Sequence, residues 1–168
     1  MIASRCASCW TGWARVALVA GLLVTLAACS SGPVRRISEP DARLQQLIVA
    51  ADGSWTAQVR IENYSSIPMR FDSFSLALET AGEAAGTLQA QPALTIGPES
   101  ADVVDVQLTP AVAAKLAVAD ALAAGRSVSY SLKGSITTMP DAASKARNFD
   151  IERRSALSPA PGLPGVLR

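Results

Sequence analysis

Residues 55–62 alternate without a break. Trp55, Ala57, Val59 and Ile61 take one parity, and Thr56, Gln58, Arg60 and Glu62 take the other. A period of two sends successive side chains to opposite faces of an extended chain. This segment is therefore a strand with one face in a core and the other in water, which requires antiparallel neighbours and a second layer over the apolar face. The flanking sequence supplies them. Residues 42–50 carry Leu44, Leu47, Ile48 and Val49, and Asp52-Gly53 is a turn signal between the two runs. Residues 67–79 read as a third strand, with Met69 and Phe71 on one parity and Phe74, Leu76 and Leu78 on the other. That phase change predicts a bulge near Asp72-Ser73. Further strands are expected over about 86–95, 101–108, 128–136 and 145–153.

Between the fifth and sixth strands the period changes. Thr109 fits an N-cap, Pro110 fits a first helical position, and Gly125 supplies a stop, so a helix is expected over about 110–124. Val112, Leu116, Ala119 and Leu122 form its expected buried stripe. Lys115 and Asp120 argue against a membrane span. The fold class is all-β, an antiparallel β-sandwich of about seven strands with one helix between the last strands. Residues 41–155 would form this domain, and a chain of that length buries enough surface to fold without disulfides.

The first 28 residues read as an address. Residues 1–15 hold Arg5 and Arg15, and residues 16–26 are apolar and uncharged. A run that short fits the apolar core of a signal peptide, whereas a spanning helix needs about 20 residues. Leu26-Ala27-Ala28-Cys29 resembles the bacterial lipobox. The resemblance implies cleavage between Ala28 and Cys29, a diacylglyceryl thioether on Cys29 and an acyl chain on its new amino group. Ser30 in the next position implies sorting to the outer membrane. Cys6 and Cys9 precede the cleavage point, so the mature chain would hold only an acylated Cys29 and form no disulfide. Residues 29–40 read as a flexible tether, and the Pro- and Gly-rich residues 156–168 as a disordered tail.

Charge and composition narrow the function. The chain has 15 basic and 14 acidic residues and no histidine. Removing residues 1–28 takes away Arg5 and Arg15, which turns a net charge of +1 into −1. Nucleic acid is not an expected partner of such a chain. The lack of histidine excludes His-dependent triads and most zinc sites, and no metal or cofactor is expected. Ser131 and Lys133 share a polar strand face, which is the pattern of a solvated surface before it is that of a nucleophile and its base. Asp150 and Glu152 share a face but are too few to hold calcium. Asp102 and Asp105 should point to opposite sides of a strand. Asn63-Tyr64-Ser65 is formally a glycosylation sequon, without meaning in a bacterial envelope protein. Trp55 is assigned to the core.

Residues 55–136 resemble the late embryogenesis abundant type 2 proteins and their water-stress and hypersensitive-response (WHy) domain. The matching features are Val59-Arg60-Ile61-Glu62-Asn63, Ile67-Pro68-Met69, Ser73 to Glu79, Ala85-Gly86, Ile96-Gly97-Pro98-Glu99-Ser100, and Val128 to Ile136 around Gly134. The family's Asn-Pro-Asn is here Asn63-Tyr64-Ser65, matching at its first position. The resemblance implies a fibronectin-III-like sandwich and a role in desiccation or stress tolerance. Asn63 suits a strand exit and Pro68 a strand start, so the motif residues Asn63, Pro68 and Gly134 are expected to be structural. The expected function is non-enzymatic protection by a lipoprotein held on an envelope membrane through Cys29. The alternatives are a binding or assembly-accessory module for another envelope protein, and a binder of a small apolar ligand.

Overall fold

A computed structural model describes residues 35–141, 143 and 145–168. The signal segment, Ala28 and Cys29 lie outside the described residues. The hairpin expected at Asp52-Gly53 joins β1 (Asp41–Val49) to β2 (Trp55–Asn63). Asp52 Oδ1 accepts from the Ser54 amide at 2.8 Å and the Ser54 hydroxyl at 2.7 Å, and Gly53 takes the left-handed φ of 81° that the turn needs. In β2 the four odd-numbered apolar residues are fully buried. Leu44 and Leu47 are three apart in β1, yet both are buried, because the strand slips register between Leu44 and Gln46.

β3 (Met69–Thr80) carries the predicted bulge. Its pairing with β7 (Val128–Pro140) shifts between Phe71 and Ser73, so Phe71 and Phe74 both enter the core. The strand expected over 86–95 is instead two pieces, β4 (Glu83–Ala90) and β5 (Leu94–Ile96). Pro92 follows the first piece and Ala93 adopts a φ of 48°, which breaks the extended run; both pieces still pair with β3. β6 (Ser100–Leu108), β8 (Arg147–Leu157) and β9 (Val166–Leu167) complete nine strands among the described residues, where about seven were expected. One sheet runs β6-β2-β1-β9, the other β4-β3-β7-β8 with β5 also on β3, and every pairing is antiparallel. Trp55, Phe71, Ile61, Leu76, Leu132 and Ile136 fill the space between the sheets.

Three boundaries depart from the sequence expectation. The helix, α1 (Val112–Ala123), starts later than Thr109; its N-cap is Ala111, whose methyl can accept no capping bond, and the Ala111 amide donates to Ala85 O of β4 at 2.9 Å. Its buried residues are Ala114, Val118 and Ala121, while Val112 and Leu116 from the expected stripe face solvent. Small side chains let the helix lie close against β4, where Ala85 is also buried. The expected disordered tail over 156–168 is built into the fold. β8 continues to Leu157, Val166 and Leu167 pair with Ile48 and Leu47, and Leu167 is fully buried. The end of the expected tether is fixed too, because Ser65 and Ser66 bind the backbone of Ser38 and Arg36.

Candidate functional site

The motif residues gather where the chain enters the sandwich. Asn63, the last residue of β2, is 1% exposed. The two hydrogens of its Nδ2 are shared among three carbonyls, Ile67 O at 3.0 Å, Ile96 O at 3.1 Å and Gly97 O at 2.8 Å. Its Oδ1 accepts from the Ser65 amide at 2.9 Å. One carboxamide thus joins the exit of β2 to the turn before β3 and to the end of β5. The same nitrogen is the atom a sequon would glycosylate, and it is consumed by these carbonyls. Pro68 stands directly before β3, where no ladder donor is needed, and its carbonyl accepts from the Asp141 amide at 3.1 Å. Gly134 lies opposite Leu76 across the β3–β7 ladder, and a Cβ there would sit 2.0 Å from Ser75 O.

Ser65 is fully buried and extends the clamp toward the incoming chain. Its Oγ accepts from the Ser38 amide at 2.9 Å and donates to Met69 Sδ at 2.9 Å. The Ser66 hydroxyl accepts from the Arg36 amide at 2.8 Å, and the Ser66 amide donates to Arg36 O at 3.0 Å. Glu99 has a φ of 49°, and its amide donates to Ser65 O at 3.1 Å. The roles of Ser65, Ser66 and Arg36 were not read from the sequence. Their one signal was a pair of serines after an asparagine, which is common in any loop.

A charged cluster borders this clamp. Glu62 Oε1 accepts from Arg60 Nε at 2.8 Å and lies 3.1 Å from Arg43 Nη2; Tyr64 donates its hydroxyl to Glu62 Oε2. The Tyr64 hydrogen bond, then that of Arg60 and the charges of Arg43 and Arg60, hold the Glu62 carboxyl below its ordinary value. The same bond pushes the Tyr64 phenol up. A carboxylate so neutralised is a weak base, and a phenol so held is a weak acid. Elsewhere, Ser131 donates to Glu79 Oε2 at 3.2 Å across the sheet, with exposed Lys133 at the next outward position. Asp150 and Glu152 are exposed on β8, and Glu152 pairs with Arg154 at 3.6 Å. Asp102 and Asp105 occupy opposite parities of an unbroken β2–β6 ladder. Among the described residues there is no group of three or more His, Cys, Asp or Glu side chains placed to hold a metal ion, and no helix long and apolar enough to cross a membrane.

The outer face of the β4-β3-β7-β8 sheet is lined by polar and charged groups. Ser73, Ser75, Gln89, Ser135 and Thr137 border one open groove, and Glu79, Thr87, Ser131, Lys133 and Arg154 line another. The family profile for late embryogenesis abundant protein, type 2, matches residues 58–153. The chain belongs to the late embryogenesis abundant type 2 family. The match runs from inside β2 to near the end of β8, farther than the 55–136 segment whose motifs showed the resemblance. It includes Asn63, Pro68 and Gly134. This family is generally non-enzymatic. The chain is similar to the solution structure of a late embryogenesis abundant (LEA) protein, with 14% identity and a TM-score of 0.46, covering 90% of this chain and 86% of that one. An Arabidopsis thaliana protein is 15% identical with a TM-score of 0.46, covering 75% of this chain and 81% of that one. A protein from Archaeoglobus fulgidus is 15% identical with a TM-score of 0.39, covering 74% of this chain and 98% of that one. The chain matches no curated protein.

Proposed function

We propose that this family member is a non-enzymatic lipoprotein that protects the cell envelope during desiccation or a related stress. The family match over residues 58–153 carries the reading, because it spans the sandwich that would do the protecting. The physical support is the polar face of the β4-β3-β7-β8 sheet. Its serine, threonine and glutamine side chains donate and accept hydrogen bonds, and so can satisfy client or headgroup polar groups as water is withdrawn. Leu26-Ala27-Ala28-Cys29 supports the anchor, and Ser30 supports sorting to the outer membrane. Each buried methylene contributes about 0.8 kcal/mol, so three acyl chains on Cys29 would hold the protein on a bilayer almost permanently.

The test is to dry a desiccation-sensitive enzyme with the purified protein or with an equal mass of an inert protein. Lower aggregation with the family member is expected, and equal performance overturns the protective reading. The anchor is tested separately by palmitate labelling in cells. Label on the wild-type chain and its loss in Cys29→Ala are expected; an unlabelled wild-type chain would remove the lipoprotein assignment.

A further inference from the structure

α1 is apolar on two opposite sides. Ala114, Val118 and Ala121 face the sandwich. Val112, Leu116, Ala119 and Ala123 form an exposed stripe, with Val112 73% and Leu116 66% open to solvent. Their spacing of four, three and four residues is that of a heptad seam, d-a-d-a. Lys115 and Asp120 then occupy the g and e positions on either flank of the stripe. These two charges define what fits the stripe. In a parallel helix pair, a g residue faces the e residue five positions on in the partner, so Lys115 of each copy meets Asp120 of the other. In an antiparallel pair like flanks meet, which puts lysine beside lysine and aspartate beside aspartate. Charge complementarity therefore selects a second copy of this helix, and selects its direction.

We propose that α1 is a self-association surface through which two copies of the chain pair as parallel helices. Val112, Leu116, Ala119 and Ala123 form the seam, and the alanines allow close approach. In the single chain, Lys115 Nζ lies 3.5 Å from Asp52 O, and Asp120 pairs with Arg126 with both side chains mostly exposed. Exposed contacts of this kind exchange at little cost. A helix of 12 residues offers a small interface, so the association belongs to the weak, reversible class. This inference stands apart from the protective reading and from the anchor.

The experiment is sedimentation equilibrium of the full chain in detergent, up to about 1 mM, the range in which a weak, small interface becomes populated. A reversible monomer–dimer equilibrium is expected. Lys115→Asp and Asp120→Lys should each weaken it by roughly tenfold, because both flanks become like-charged. An equimolar mixture of those two variants, or the double swap in one chain, should restore it. Leu116→Lys should abolish it, with circular dichroism confirming that each variant keeps its β spectrum. A wild-type chain that stays monomeric overturns the proposal. So does self-association that Lys115→Asp leaves unchanged, which would place the contact elsewhere in the chain.

Discussion

Asn63 is buried and commits both ends of its carboxamide to backbone, which makes it costly to replace. Asn63→Ala would leave buried carbonyls and the Ser65 amide without partners, and should cost about 2–4 kcal/mol in urea denaturation. Asn63→Asp keeps the acceptor but turns the donor into an anion facing carbonyls, so it should be at least as damaging. A neutral outcome for either variant would sink the clamp assignment. Gly134→Ala should be more severe than an ordinary glycine substitution, since its Cβ meets Ser75 O of the neighbouring strand; a melting temperature within a degree or two of wild type would contradict that contact. Glu62 makes a pH-dependent contribution. Its folded carboxyl lies below the ordinary 4.5, so its stabilisation is present above about that pH and is lost as pH falls through the folded value. Glu62→Gln should lower stability by about 1–2 kcal/mol at pH 7. The gap to wild type should close as pH falls from 4.5 through the folded value, in parallel melting curves.

At the scale of elements, β9 is two residues long yet completes one sheet. The Val49 amide donates to Gly165 O at 2.8 Å, and Leu167 is fully buried against the core. Ending the chain after Leu157 would uncover the β1 edge and delete that leucine. We expect a loss of about 2–4 kcal/mol in chemical denaturation, and faster amide exchange concentrated in β1. A dispensable tail would leave both unchanged. Tyr130 ties the layers in another way. From β7 its hydroxyl accepts from the Leu44 amide at 3.2 Å, beside the β1 bulge, and burial raises its phenol's pKa. A bond from one sheet to a bulged strand of the other holds the register that brings Leu44 and Leu47 inward together. α1 shows the limit of periodicity. Its alanine-rich sequence is apolar nearly all round, so a helical stripe can be drawn on either side of it.

For the whole molecule, the chain's three cysteines stand at positions 6, 9 and 29, before the sandwich, and it has no histidine. Its unfolding transition should therefore be unchanged by reductant and nearly flat between about pH 6 and 7.5, the range in which histidine is the side chain that ordinarily changes charge. A reductant-sensitive melt would expose a disulfide where none is expected. The alternation of β2 and β7, the Asp52-Gly53 hairpin, the bulge after Phe71 and the position of the helix were legible in the sequence. Each is dictated by local geometry: the two-residue strand period, the left-handed freedom of glycine, a break in parity. The family's motifs were legible as well, because they mark the same strand ends. Other features depended on partners distant in the chain. The Asn63 carboxamide meets carbonyls from two later turns, Ser65 meets Ser38, the last strand finds β1, and α1 turns its small residues to β4. A Pro- and Gly-rich segment looks the same from its sequence whether or not a sheet edge waits for it. The sequence alone determined which segments extend and which face of each is apolar, because those follow from neighbours two to four residues apart. Only the tertiary structure decided the clamp, the ordered tail and the outward stripe of α1, because each depends on which surfaces meet once the two sheets have closed.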